Sequence, residues 1–192
     1  QLFATTVFDD VAFGPRNLGL SGDEVETRVR ESLSRVGLSI DSLRDMSPFE
    51  LSGGQQRRVA FAGVLAMNPE ALVLDEPVAG LDPVARREFL GLIAQLHKQG
   101  TTIVMVSHSM DDLAAMCDRV VVLKEGEIVR QGTPAHVFMH AAKLNEIGLG
   151  LPAPQRMAYA LIDVGAPLST DELYSIDSLA AEIASIAEGG AR

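Results

Sequence analysis

The sequence predicts an α/β protein in which a parallel sheet is flanked by helices, with a helical subdomain before it and a small helical extension after it. Two observations predict this fold. Short apolar strands, "ALVL" at residues 71–74 and "TTIVMVS" at residues 101–107, alternate with amphipathic helices, as in βα units on a parallel sheet. The composition agrees, since 47% of the 192 residues are hydrophobic and 22% are charged, which is typical of globular proteins.

The composition also excludes some classes of function. The net charge is −10 and no run of Lys or Arg stands out, so we expect no direct contact with nucleic acid. The single cysteine, Cys117, excludes an internal disulfide and is expected to be a small buried hydrophobe. No apolar run is long enough to span a bilayer, and no secretory signal is visible.

Residues 1–66 are predicted to form a helical subdomain. Gly14 and Pro15 predict a break in its first segment. Ser21 and Glu24 have the spacing of a capping box, and a helix with one apolar face follows, up to a stop at Gly37. That face consists of Val25, Val29, Leu33 and Val36. A short helix in "IDSLRDM" comes next, and the helix after "LSGG" is apolar on nearly all sides, which predicts that it is buried.

Residues 67–138 are predicted to hold the sheet. Asp82 caps a helix with Pro83 at its first position, and "KEGE" turns the strand "RVVVL" back into "IVRQG" as a hairpin. Residues 139–192 are predicted to form a C-terminal extension, in which a capping box at Ser169 and Glu172 precedes an amphipathic helix. That helix is either a dimer contact or packed on its own domain.

Polar residues follow two of the predicted strands. Asp75 and Glu76 follow "ALVL", and Ser107 and His108 lie at the end of "TTIVMVS". Ligands bind at the carboxyl ends of strands in such sheets. Asp75 is therefore a candidate to hold Mg²⁺ through water, Glu76 to orient or deprotonate an attacking water, and His108 to donate a hydrogen bond to a phosphate. The alternative for the two acids is a solvated strand end without a function.

The pentapeptide "LSGGQ" at residues 51–55 carries the strongest functional signal. Ser52 has the position of a helix N-cap, and Gly53 and Gly54 have no side chains to cover the backbone N–H groups. These groups lie at the positive end of the helix dipole, which is a ready site for an anion. Gln55 adds a side-chain amide. A glycine turn before a core helix is the alternative.

With these residues in place, the chain resembles the ATP-binding cassette (ABC) ATPases. "LSGGQ" is similar to their signature motif, "ALVLDE" at 71–76 to the Walker B strand, "AGLD" at 79–82 to the D-loop, and "SH" at 107–108 to the H-loop. The four motifs occur in the order of the family. The resemblance covers residues 1–138 and implies a core like that of the P-loop NTPases.

A narrower resemblance is to the ATPases of energy-coupling factor (ECF) importers, a group that includes cobalt and nickel uptake ATPases. The phrases "DVAFGPRNLGL", "SPFELSGGQ" and "VSHSMDDLA" are similar to that group. The tail, with "GLPAPQRMAYAL" and "GAPLSTDELYSI", is similar to its C-terminal extension.

The resemblance implies ATP and Mg²⁺ as cofactors and a dimer of two ABC ATPase subunits, identical or related. Residues 52–55 then contact the γ-phosphate of ATP held by the partner subunit. Asp75, Glu76 and His108 serve the nucleotide of their own subunit, and Asp82 crosses the interface and couples the two sites. An integral membrane transporter subunit and a substrate-binding membrane subunit complete the implied assembly, which places the ATPase peripherally on the cytoplasmic face of the cell membrane.

The sequence departs from the family pattern in its first part. The loop G-x-x-x-x-G-K-[ST] and the aromatic residue that stacks on adenine are absent from the chain, and Gln1 is not expected to be the Q-loop glutamine. We therefore expect the chain alone to be inactive, either as a C-terminal fragment of an ordinary ATPase or as a natural half-site protein. Intact Glu76 and His108 favour the fragment. Val78 replaces the hydroxyl residue common after "DEP".

Three functions stay open at this point. The first is the nucleotide-binding subunit of an ECF importer for a vitamin or a transition-metal ion, docked to its membrane subunit through residues 1–20. The second is a soluble, non-transport ABC ATPase, which the acidic charge and the short segment before the signature disfavour. The third is a partner that lends only its signature to a heterodimer, against which intact Glu76 argues.

Overall fold

The protein is described by a computed structural model that covers residues 2–139, 144, 148–168 and 173–189. The chain divides into two compact units, Gln1–Met105 and Val106–Arg192. The α/β fold class, with a parallel sheet and flanking helices, is confirmed. The boundaries expected at residues 66 and 138 stay predictions.

The first unit holds the predicted helices and the first strand pair. Its helices are α1 (Val7–Asn17), α2 (Gly22–Arg35), α3 (Ile40–Leu43), α4 (Gly53–Leu65) and α5 (Pro83–Lys98), with a 3₁₀ turn at Pro48–Glu50. Strand β1 (Ala71–Asp75) pairs with β2 (Thr102–Val106), which ends at the boundary between the units.

Helix α2 has the capping box and the apolar face that the sequence predicts. The side chain of Ser21 accepts the N–H of Glu24, and the Glu24 carboxylate accepts the N–H of Ser21 at 2.9 Å. All members of the predicted face are buried, namely Val25, Val29, Leu33 and Val36. Gly37 adopts a φ of 73°, the left-handed conformation that ends the helix.

The predicted break at Gly14 and Pro15 is wrong, because α1 runs through both residues. Pro15 lacks an N–H for the helical ladder, but its ring is buried. A Cβ at Gly14 would lie 2.6 Å from Cγ of Met67. The bare glycine thus lets α1 pack closely against the end of α4, and we infer that this packing outweighs the lost hydrogen bond.

Helix α4 is buried on fewer sides than its sequence predicts. Val59, Phe61, Ala62 and Leu65 are buried, whereas Val64 is 40% exposed. α4 packs mainly against α1 and α2, and Phe61 also contacts Phe89 of α5, but these neighbours leave the side with Val64 open. Apolar composition alone therefore overestimated the burial of this helix.

The second unit is built around the predicted hairpin. β3 (Val120–Lys124) pairs antiparallel with β4 (Glu127–Gly132) through a turn at Glu125 and Gly126, both with positive φ. Within the described residues its helices are α6 (Met110–Met116), α7 (Pro134–Phe138), α8 (Ala153–Asp163) and α9 (Ile176–Gly189). The apolar core of the hairpin contains Ala114, Val120, Val122, Val137, Phe138 and Leu144.

The C-terminal extension contains α8 and α9, which pack on each other. Leu179 on α9 is buried with Ala158 on α8, whereas Ile176 is 76% exposed. The predicted cap at Ser169 and Glu172 lies outside the described residues. Among the helices of the described residues, none combines the length and the apolar character needed to cross a membrane.

Candidate functional site

The start of α4 is a second capping box, built by the signature residues. Ser52 Oγ accepts the N–H of Gln55 at 3.3 Å, and Gln55 Oε1 accepts the N–H and the hydroxyl of Ser52, each at 3.1 Å. This cap fixes the first turn of the helix and its direction. Because Oε1 of Gln55 serves the cap, its amide nitrogen is the group that is left to face an anion.

The two signature glycines keep the helix start open. A Cβ added at Gly53 or Gly54 would meet nothing within 4 Å, and both residues are exposed. The first N–H groups of a helix have no intrahelical partner. The start of α4 therefore presents backbone donors to solvent with the positive end of the helix dipole behind them, and these groups suit a phosphate oxygen.

The two acids after β1 lie in different environments. Asp75 is exposed as the last residue of the strand, and Glu76 is half-buried. Glu76 has a φ of 44°, in the left-handed region that residues other than glycine rarely adopt. Its carbonyl accepts the N–H of Ala79 at 3.1 Å, which closes the first turn of the following loop. Strained backbone of this kind clusters at functional sites.

Val78 and Asp82 belong to the loop that follows Glu76. Val78 is buried, so an apolar side chain suits the position where a hydroxyl residue is common. Asp82 Oδ1 accepts the N–H groups of Val84 and Ala85 at 2.9 and 3.0 Å, which confirms it as the N-cap of α5. Its contact across a dimer interface stays a prediction.

His108 lies in the turn between β2 and α6, within the second unit. It is exposed. The turn is held by Ser107 Oγ, which accepts the N–H of Ser109 at 3.0 Å, and by Ser109 Oγ, which accepts the N–H of Asp112 at 3.3 Å. These bonds fix the backbone on both sides of the imidazole, as a hydrogen-bonding role requires.

One arginine near the signature was missed by the sequence analysis. Arg57, one turn after Gly53 on α4, donates from Nη1 to the carbonyl of Ala79 at 3.3 Å. Its guanidinium lies 5.8 Å from the ring centroid of Phe89 on α5. Nothing in the sequence distinguishes Arg57 from Arg58, which instead pairs with Glu88.

The donor set fits a nucleotide with Mg²⁺. No group of three or more His, Cys, Asp or Glu that could hold a metal occurs among the described residues. Mg²⁺ is commonly held by only one or two carboxylates together with phosphate oxygens and water. The exposed carboxylate of Asp75 suits that role, and the open N–H groups at Gly53 and Gly54 suit phosphate oxygens.

Several known proteins are similar to this chain in sequence or fold. Residues 9–112 match the model of a family described as "AAA domain, putative AbiEii toxin, Type IV TA system". The chain is 51% identical over 181 residues to the energy-coupling factor transporter ATP-binding protein EcfA2 of Symbiobacterium thermophilum, which covers 94% of this chain and 62% of that protein. The EcfA2 protein of Clostridioides difficile is 48% identical over 191 residues, or 98% of this chain and 66% of the relative.

A solved structure is similar over most of the chain. It is described as "Structure of cbiO1 from clostridium perfringens: Part of the ABC transporter complex cbiONQ", with a TM-score of 0.66 and 39% identity over 84% of this chain and 63% of that one. This chain thus spans 62% of the length of the Symbiobacterium relative. The match over residues 9–112 shows that the protein belongs to this AAA-domain family. The relatives at about half identity and the cbiO1 fold identify it with the ABC transporter ATP-binding proteins, among them those of ECF transporters.

Proposed function

We propose that this chain is the signature-bearing part of an ATP-binding and ATP-hydrolysing subunit that energises an ECF importer for a vitamin or a transition-metal ion. The observation that carries the proposal is the start of α4, where a capping box holds two exposed glycine N–H groups toward solvent. The names of the relatives support the type of transporter. The chain alone, which has no G-x-x-x-x-G-K-[ST] loop, is expected to be inactive.

Each site residue has a separate task in this proposal. The N–H groups of Gly53 and Gly54 donate to the γ-phosphate of ATP that a second ATPase subunit holds. Asp75 holds Mg²⁺ through water, and His108 donates a hydrogen bond to a phosphate oxygen. Glu76 orients the attacking water and accepts its proton. ATP, when bound, supplies the phosphoanhydride bond whose hydrolysis releases the dimer.

The backbone of Glu76 supports this assignment. A left-handed glutamate costs on the order of 1 kcal/mol or more, yet the loop holds it there through the bond from the Ala79 N–H to the Glu76 carbonyl. Asp75, the residue before it, lies at the strand end and is exposed. The exposed position of Asp75 and the half-buried position of Glu76 suit one metal contact and one water contact.

An apolar patch at the start of the chain supports a membrane partner. Phe3 and Phe13 pack edge to face with ring centroids 4.7 Å apart, yet they are 57% and 50% exposed. Asp10 accepts the N–H of Phe3 at 3.2 Å and thereby holds the segment before α1 in place. Exposed aromatic pairs of this kind often mark protein contacts. We therefore propose that residues 1–20 bind the membrane subunit. Gln1 itself lies outside the described residues.

The C-terminal helix supports a second ATPase subunit as the other partner. α9 buries Leu179 against α8 and leaves Ile176 and Ile183 exposed. Ile176, Leu179 and Ile183 lie on the same face of the helix, so α8 covers this apolar face only in part. We assign these exposed residues to a contact with the second subunit. The proposed assembly lies at the cytoplasmic face of the cell membrane.

The capping box of α2 provides a matched control for testing the signature. Gly22 and Gly53 each follow a capping serine, and a Cβ at either glycine meets nothing within 4 Å. An aspartate in a first helical turn stabilises the helix, so neither Gly22→Asp nor Gly53→Asp should harm folding. Only Gly53→Asp places a negative charge where we expect the γ-phosphate.

The experiment compares these two variants in the complete ATPase, assembled with its membrane subunits. We expect Gly53→Asp to lower ATP hydrolysis at least about 10-fold by repulsion of the phosphate, and Gly22→Asp to leave it unchanged. Equal activity in both variants would contradict the phosphate contact. Failure of the chain to copurify with membranes would contradict the transport role and favour a non-transport ATPase.

A further inference from the structure

The loop between Glu76 and Asp82 is held from outside by the signature helix. Within the loop, the N–H of Ala79 donates to the Glu76 carbonyl at 3.1 Å and the N–H of Leu81 donates to the Val78 carbonyl at 3.3 Å. Both are local turn bonds, and Ala79 itself is exposed. The bond from Arg57 Nη1 to the Ala79 carbonyl reaches this loop from α4, 22 positions earlier in the chain.

The guanidinium of Arg57 is itself held by the core of the first unit. It lies 5.8 Å from the ring centroid of Phe89, and the Phe89 ring packs on Phe61 of α4 at 5.2 Å. Phe61 and Phe89 are both buried. A cation over an aromatic face is attracted to it, so the ring restricts where the guanidinium can point. The ring and the hydrogen bond to Ala79 together therefore restrict the orientation of the Arg57 side chain.

Arg57 connects two parts of the chain to which the proposed function gives different tasks. One end is a single helical turn from Gly53, and the other end is the carbonyl of Ala79, three residues before Asp82 and three after Glu76. We propose that Arg57 is a positioning residue, which transmits the position of the signature helix to the loop that carries Glu76 and Asp82. This inference rests on the proposed function for its purpose. The link itself, which is the hydrogen bond from Arg57 to the Ala79 carbonyl, is a property of this chain.

Hydrogen exchange of the 192-residue chain tests the link without nucleotide. In Arg57→Ala, we expect the N–H groups of Ala79 and Leu81 to exchange about 5-fold faster, since one hydrogen bond that restrains the loop is lost. Arg57→Lys should behave similarly, because lysine keeps the charge but lacks the planar guanidinium. Arg87→Ala, which removes an exposed arginine from α5, is the matched control and should change neither rate.

A double-mutant cycle tests whether a change at the start of α4 reaches the loop through Arg57. Ser52→Ala removes the cap of α4 and should speed exchange at Ala79 when Arg57 is present, but have no such effect in the Arg57→Ala background. Equal effects of Ser52→Ala in both backgrounds would overturn the proposal. So would unchanged exchange at Ala79 and Leu81 in a folded Arg57→Ala variant, with folding checked by its thermal melt.

The two proposals fail in different ways. If Gly53→Asp leaves ATP hydrolysis of the assembly unchanged while Arg57→Ala loosens the loop, the nucleotide role is wrong and the link stands. If Gly53→Asp abolishes hydrolysis and Arg57→Ala leaves the exchange of Ala79 and Leu81 unchanged, the link is wrong and the function stands. A lower kcat with an unchanged KM for ATP in Arg57→Lys is the expected result for a positioning residue.

Discussion

The helical region, residues 7–65, and the strand pair β1–β2 bury their apolar side chains differently. In the helical region the inward residues of α1, α2 and α4 are buried, and Val11, Leu33 and Ala62 have no exposed surface at all. In the strand pair Leu72 is buried, but Val73 is 73% and Val104 51% exposed. Successive residues of a strand face opposite sides. The described strand pair therefore buries one side and leaves apolar residues open on the other, whereas the helical region closes its own core.

In the first unit, the residues that stabilise the fold differ from the residues to which we assign the chemistry. The open glycine N–H groups stand on a helix whose body is fixed by buried contacts with α1 and α2. The acids Asp75 and Glu76 stand at the end of a strand that is covered less completely. Changes in the buried core of the helical region should therefore act mainly on folding, whereas changes at the strand end and at the exposed start of α4 should act mainly on activity.

The largest expected effect is at the strand end. Glu76→Gln in the assembled ATPase should lower kcat about 10²- to 10⁴-fold, because the amide cannot accept a proton from the attacking water. Thermal stability should stay close to that of the unchanged protein, since the side chain keeps its size. The control is Glu125→Gln, at another left-handed glutamate, in the hairpin turn. If both variants hydrolyse ATP at the normal rate, the strand end does not carry the chemistry.

The second-largest expected effect is the loss of unfolding free energy when a buried helical residue, rather than an exposed strand residue, is shortened. Leu33→Ala should cost about 2–5 kcal/mol of unfolding free energy in this chain, because it leaves a cavity between helices. Val73→Ala should cost less than about 1 kcal/mol, because the valine is largely in solvent before the change. Urea unfolding of both variants measures the difference. A Val73→Ala cost as large as that of Leu33→Ala would mean that the exposed side of β1 is covered in solution.

The smallest effect is a dependence of the helical region on pH. A double hydrogen bond from Arg44, at 2.7 and 2.8 Å, holds the pKa of Glu26 below its usual value. A carboxylate with a lowered pKa stabilises the fold above its unfolded pKa of about 4.3, and this contribution is lost as pH falls through the folded pKa. Both side chains are close to solvent, so the effect should be small.

The Glu26→Gln variant measures that contribution. Its urea midpoint should fall less than that of the unchanged chain when the pH is lowered from about 5 to about 3. The guanidinium of Arg44 also lies 4.0 Å from the ring centroid of Phe8, and this contact stays in the variant. Parallel pH curves for the two proteins would show that the ion pair contributes nothing that depends on protonation.

Much of the fold and of the candidate site could be predicted from the sequence. The capping box at Ser21, the N-caps at Ser52 and Asp82 and the hairpin turn at Glu125 were all expected and are all present. Each depends on residues within about one turn of each other, so the local sequence contains all the atoms that decide it. The signature and the strand-end acids could be singled out as candidates for the same reason, because they are short motifs.

The tertiary structure alone decided how these local pieces meet. α1 continues through Pro15 because Gly14 allows a close contact with Met67, which is 53 positions away. Arg57 reaches Ala79 although neighbouring Arg58 turns to Glu88. Such contacts join residues far apart in the chain, and their energy depends on the packing of whole helices. The sequence by itself determined which motifs this protein carries. The packing of the helices decided which of them are in contact with one another.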